Sequence, residues 1–216
     1  YAILDPVLTI SLPPNITSST GLDALCHAIE SYISKKANFL SESISLSAIK
    51  NIWKNLPIVY SEAGNLKSRE KMLYGSFLAG LGLVNAGVTG VHSISYPLGG
   101  IYGIPHGVGN GLLLPYVLEF DIENDISYTV ENKLSSIVDV IMPTFKGDEK
   151  EKSKFLVNEI KKLLKKFNFP RIRDFNVDKN TFPKLAEDAL KVSVPIENNP
   201  VAITKEDIIK IYESAY

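Results

Sequence analysis

KSREKMLYGSFLAGLGLVNAGVTGVHSISY, Lys67 to Tyr96, is apolar on nearly every side through its middle and carries glycine or alanine at 75, 79, 80, 82, 86 and 87. Small residues at such intervals let neighbouring helices approach, so the stretch predicts one long central helix packed on several others. Upstream, Leu22, Leu25, Ile29 and Ile33 share one side of a helix expected to run to about Lys35, with Ser18, Ser19 and Thr20 available as N-caps. From Ser41 the residues Ile44, Ile49, Ile52, Trp53 and Leu56 recur at helical spacing and stop at Pro57. Downstream, Gly107 to Phe120 is almost wholly apolar. Further helices are expected at about Tyr128–Ile141, Lys150–Phe167, Phe182–Val192 and Lys205–Ala215, the last opened by Thr204 with Asp207 at N3. Only Tyr1–Ile10 reads as extended, closed by the paired prolines of SLPPN. The expected fold class is all-α, a multi-helix bundle with a short extended N-terminal segment.

Composition excludes several kinds of molecule. With 45% hydrophobic and 22% charged residues the chain is globular, not disordered. A net charge of −1 and a single dense lysine run, KKLLKKF at 161–167, whose lysines are split by Leu163 and Leu164, read as a solvated helix face and not as a nucleic-acid surface. The lone Cys26 rules out an internal disulfide and fits a reducing, cytoplasmic setting. No charged leader with a short apolar core is visible, and Phe77 to Val91, interrupted by Asn85, Thr89 and several glycines, reads as a buried helix and not a membrane span. Because the chain begins at Tyr1 and not at methionine, an upstream portion is expected.

The three histidines fall in two segments, GLDALCHAIE (21–30) and VHSISYPLGGIYGIPHG (91–107). Asp23 and His27 are an i, i+4 pair, which a helix places on one face one turn apart. His92 and His106 are separated by Pro97, Gly99, Gly100, Gly103 and Pro105, which argue against one continuous helix and for a loop that folds His106 back toward His92. Three imidazoles and a carboxylate suit zinc or ferrous iron. The competing reading is an ordinary solvated stripe, since Asp23, His27, Glu30 and Ser34 lie well round from the apolar side of their helix. A second element has to cover that stripe if the metal site exists. Cys26 points away from it and reads as a small buried apolar residue. The glycine runs PLGG (97–100) and HGVGNG (106–111) lack the preceding strand and the G-x-G-x-x-G order of a dinucleotide fingerprint.

LPPNITSSTGLDALCHAIESYIS (12–34), LAGLGLVNAGVTGVHSISYPLGGIYGIPHGVGNGLLLPYVLEF (78–120) and NNPVAITKEDI (198–208) resemble the signature regions of iron-containing alcohol dehydrogenases. The resemblance covers nearly the whole chain, and only the helical, dehydroquinate synthase-like C-terminal half of that family. It implies four metal ligands, Asp23, His27, His92 and His106, for Fe2+, with Zn2+ as the alternative. It also implies an oxidoreductase that interconverts a small alcohol and an aldehyde or ketone, with NAD or NADP bound mainly by an N-terminal domain. On that reading residues 1–14 lead out of the nucleotide-binding domain and residues 15–216 form the metal-binding catalytic domain, inactive by itself. Some members of the family carry a histidine one turn after the third ligand, thought to help proton transfer, where this chain has Tyr96. Tyrosine ionises near 10 against about 6.5 for histidine, so Tyr96 reads either as a hydrogen-bond donor to the substrate oxygen or as an aromatic wall. A homo-oligomer is compatible, because members are often dimers or larger. The alternatives left open are an inert metal-binding helical remnant and a glycerol dehydrogenase-like relative.

Overall fold

The computed structural model describes residues 1–216 and contains ten α-helices and no strand. The first helix, α1 (Pro14–Ile33), is the true centre of the bundle, with 14 of its 20 residues buried. It packs against α2 (Phe39–Ser61), α3 (Leu66–Ala86), α5 (His106–Asn124) and α6 (Thr129–Ile141). On the other side α4 (Gly90–Tyr102) lies on α5, α8 (Phe182–Leu190) and α9 (Ser193–Asn198), while α7 (Glu149–Lys166) packs on α5 and α6. The last helix, α10 (Lys205–Ala215), closes over α5 and α8. One continuous apolar cluster, from Leu22 to Ala215, joins these elements.

The long helix expected over 67–96 is two helices. α3 ends at Gly87, whose φ of 71° is open to glycine at little cost, and α4 sets off at 105° to it. A Cβ at Gly87 would also lie 2.6 Å from Nδ2 of Asn198, which donates to the Val88 carbonyl. Nor is α3 packed all round. It buries a seam of small residues against α2, with the Cβ position of Gly75 only 2.7 Å from Ile52 and that of Gly82 close to Ser45 and Ser31. Phe77 and Val84 face outward, Val84 with 80% exposure. No single helix is long and apolar enough to cross a membrane.

Prolines end fewer elements than their local effect suggests. α1 starts at Pro14 and not near Ser18, because the first helical position needs no N–H. The hydroxyls of Ser18, Ser19 and Thr20 instead bond back to the carbonyls of Asn15 and Ile16. α2 continues through Pro57 to Ser61, and α4 continues through Pro97, Gly99 and Gly100 to Tyr102. The loop between His92 and His106 therefore shrinks to Gly103–Pro105, with Gly103 left-handed at φ 67°. Near the N-terminus, Pro6–Thr9 form one 3-10 turn where an extended run was expected. Asp5 accepts from the Val7 N–H there, and Pro6 presets the φ of the first position.

Candidate metal centre

Three helices deliver the site. α1 presents Asp23 and His27 one turn apart, α4 presents His92 as its third residue, and α5 begins with His106. One ligating atom from each of these four residues lies within 4.8 Å of the others. The His27 and His92 rings stack at 4.7 Å, His92 and His106 stand edge to face at 5.2 Å, and His106 Nε2 is 3.6 Å from Asp23 Oδ1. The covering element that the polar stripe of α1 requires is the α4–α5 corner. Burial is graded across the cluster: His92 is 2% exposed, whereas 47% of the His106 side chain is open, so the site has a closed inner end and an open outer one.

The donor set fits a divalent cation. It consists of three imidazole nitrogens and one carboxylate oxygen, a combination suited to iron or zinc. Ligating atoms of three members already converge on one point, the Nδ2 of Asn110, whose two hydrogens can serve two of them at a time. That amide nitrogen sits 2.7 Å from Asp23 Oδ1 and 3.0 Å from Nε2 of both His92 and His106. Burial lowers the pKa of His27 despite the opposing pull of Asp23, which keeps its lone pair free.

Glu30 and Ser34, expected on a solvated face, are both buried. Glu30 projects from α1 into the start of α4. Its Oε1 accepts from Thr89 N, Thr89 Oγ1 and Val91 N, each at 3.0 Å, and from His92 N at 3.4 Å. Its Oε2 pairs with Nδ1 of His92. A carboxylate is well placed at a helix N-terminus, where free N–H groups and the helix dipole both favour negative charge. Burial opposes ionisation of both partners, yet their attraction prevails: Glu30 is held below its ordinary pKa and His92 above its own. Cys26 is fully buried behind the site, its Sγ 3.7 Å from Glu30 Oε2. Burial and the Glu30 charge raise its pKa well above normal, so it stays a thiol.

Tyr96 borders the open end, stacked on His106 at 5.8 Å and edge-on to His92 at 6.2 Å. Burial, with Glu30 and Asp23 adding to it, raises its pKa, so the hydroxyl keeps its proton. Asn110 and Glu30 were not singled out by sequence. A usable signal for Asn110 existed: it is the lone hydrogen-bonding side chain in the apolar run 107–115, one helical turn after His106. A cavity of about 600 Å³ lined by Tyr116, Lys161, Phe169, Arg171 and Tyr216 contains none of the site residues.

Residues 17–216 match the model of the Fe-containing alcohol dehydrogenase family, C-terminal. Among curated proteins, the long-chain-alcohol dehydrogenase 1 of Geobacillus thermodenitrificans is 34% identical over 100% of this chain and 54% of its own length. The lactaldehyde reductase of Escherichia coli is 35% identical over 100% of this chain and 55% of its own. Among solved structures, a 1,3-propanediol oxidoreductase superposes with a TM-score of 0.92 at 34% identity, covering 98% of this chain and 55% of that one. A sulfoacetaldehyde reductase from Bifidobacterium kashiwanohense in complex with NAD+ gives 0.84 at 32%, covering 98% and 53%. The chain thus spans about half the length of the relatives it matches. By its helical fold and by a family match over almost its whole length, the chain belongs to the Fe-containing alcohol dehydrogenase family and corresponds to its C-terminal part.

Proposed function

We propose that this chain is the metal-binding catalytic part of an NAD(P)-dependent alcohol dehydrogenase that interconverts a small alcohol and an aldehyde or ketone. The supporting observation is the convergence of Asp23, His27, His92 and His106 from three helices on one centre that is closed behind and open in front. These four residues would hold a divalent metal, Fe2+ by family and Zn2+ by the same donor chemistry. When bound, such an ion polarises an alcohol or carbonyl oxygen as a Lewis acid. Asp23 contributes the one negative ligand, which leaves the centre with net positive charge toward a developing alkoxide.

The other side chains shape the opening. Tyr96, protonated and 42% exposed beside His106, is positioned to donate a hydrogen bond to the substrate oxygen and has no means to act as a base near neutral pH. Glu30 lies wholly inside the bundle and touches no substrate. The hydride carrier is a nicotinamide nucleotide held mainly by a domain preceding residues 1–14. The relatives, which are about twice as long and include a reductase solved with NAD+, support this carrier.

Metal analysis of the purified chain beside Asp23→Ala and His106→Ala tests the ligand set. Both variants are expected to lose most of the parental metal, and retention of parental content by both would end the proposal. NAD(P)+-dependent oxidation of propane-1,3-diol by the protein at its natural length, with and without His106→Ala, tests the reaction.

A further inference from the structure

We propose that Glu30 is a positioning residue that fixes the tautomer of His92, holding the proton on Nδ1 so that the Nε2 lone pair faces Asp23, His27 and His106. The inference rests on the ligand set proposed above, but its geometry stands independently. Oε1 of Glu30 is filled by the N–H and hydroxyl of Thr89 and the N–H of Val91, so that oxygen carries no proton. Oε2 faces His92 Nδ1 with only the weak Cys26 thiol as another neighbour. A proton on Oε2 instead would leave the neutral ring protonated on Nε2, against the donor-only Nδ2 of Asn110, so the hydrogen between Glu30 and His92 comes from the ring.

The opposite edge of the ring imposes the same tautomer. Nδ2 of Asn110, which has no acceptor capacity, lies 3.0 Å from His92 Nε2, so a proton on that nitrogen would face another donor. The amide orientation is itself determined. Reversing it would set the amide oxygen 2.7 Å from the Asp23 carboxylate oxygen with no proton between them. One ring, gripped by an acceptor on Nδ1 and a donor on Nε2, has a single neutral form that satisfies both. Orienting partners of this kind set the tautomer and basicity of ligating histidines.

Glu30→Gln is the discriminating variant, since it keeps the shape. Its amide oxygen would still accept from Thr89 and Val91, which forces the amide NH2 toward His92 and drives the ring proton to Nε2. Nitrogen-15 NMR of the metal-free protein at alkaline pH is expected to show the His92 proton on Nδ1 in the parent and on Nε2 in the variant. Zinc affinity, measured by competition with a chelator, is expected to fall roughly 10–100-fold in Glu30→Gln. Thr89→Val separates positioning from helix capping. It removes one donor from Oε1, should lower the thermal midpoint, and should leave the tautomer unchanged and zinc affinity within about threefold. A parent ring protonated on Nε2, a Glu30→Gln protein that binds zinc as tightly as the parent, or a Thr89→Val protein that loses as much affinity as Glu30→Gln would each overturn the assignment. If Glu30→Gln does not fold, the parent spectrum decides by itself. A parent with the expected tautomer that takes up no zinc would remove the ligand set while leaving the Glu30–His92 relationship intact.

Discussion

Asn199 donates from Nδ2 to Oδ1 of Asp121 at 2.7 Å in a fully buried setting where the other carboxyl oxygen, Oδ2, has no partner. Burial pushes the Asp121 pKa up to about 8, only partly opposed by the Asn199 hydrogen bond, with Glu30 and Asp125 raising it further. The folded carboxyl therefore holds a proton that the unfolded chain releases above pH 3.8, its ordinary value. Stability from this group is full below that pH and is lost as pH rises toward about 8. Asp121→Asn, which has no charge to bury, is expected to gain on the parent across this window by up to the order of 5 kcal/mol. Its NH2 takes the place of a carboxyl oxygen that is equally without a partner, so the variant should be close to the parent at pH 4 and the stronger at pH 9. Thermal melts at the two pH values check this, and a difference independent of pH would refute it.

His106 and His92 should respond differently to removal, although both belong to the proposed ligand set. His106 is half open at the first position of α5, so His106→Ala should change the stability of the metal-free chain by less than about 1 kcal/mol. His92→Ala strips the buried Glu30 carboxylate of its partner and should cost about 3–5 kcal/mol. Urea unfolding in chelator measures both, and equal losses would contradict the burial gradient.

Gly107 marks where α5 touches α1. A Cβ there would lie 2.6 Å from the Ser19 carbonyl oxygen and 3.2 Å from Asp23 Cβ. Backbone cannot swing aside, so Gly107→Ala should push the start of α5 away and separate His106 from Asp23. Metal affinity is expected to drop at least about tenfold, in line with losses seen when ligand orientation is disturbed. Gly100→Ala on α4 meets nothing within 4 Å and should be neutral or stabilising by up to about 1 kcal/mol. Parallel metal titrations and melts of the two alanine variants provide the comparison.

How much of this could be read from sequence depended on where each determinant lies. α7 and α10 were legible within a residue or two because their boundaries are local: Asp148 pairs with Glu151, and Thr204 with Asp207, in reciprocal caps. The end of α3 was not, since the chain from Phe77 to Val91 is apolar apart from Asn85 and Thr89 and carries no local stop that sets Gly87 apart from the other glycines. What turns it is Gly87 together with Asn198 and Glu30, whose contacts span about 59 to 110 residues of sequence. The four clustered site residues could be proposed because histidine is scarce and Asp23 is one turn from His27. Glu30 looked like an exposed helix residue because its partners belong to α4, which no pattern within α1 announces.

The turn between α3 and α4 makes the chain unusually sensitive to its own length at one place. Adding one residue at Val88 or Thr89 would pull the Thr89 and Val91 N–H groups out of step with Glu30 Oε1, the contact that ties the start of α4 and its His92 to α1. The same addition between Met142 and Asp148, where no element contributing to the cluster begins, would leave that contact untouched. Insertions and deletions, more than substitutions, are therefore the changes that segment 87–89 cannot absorb.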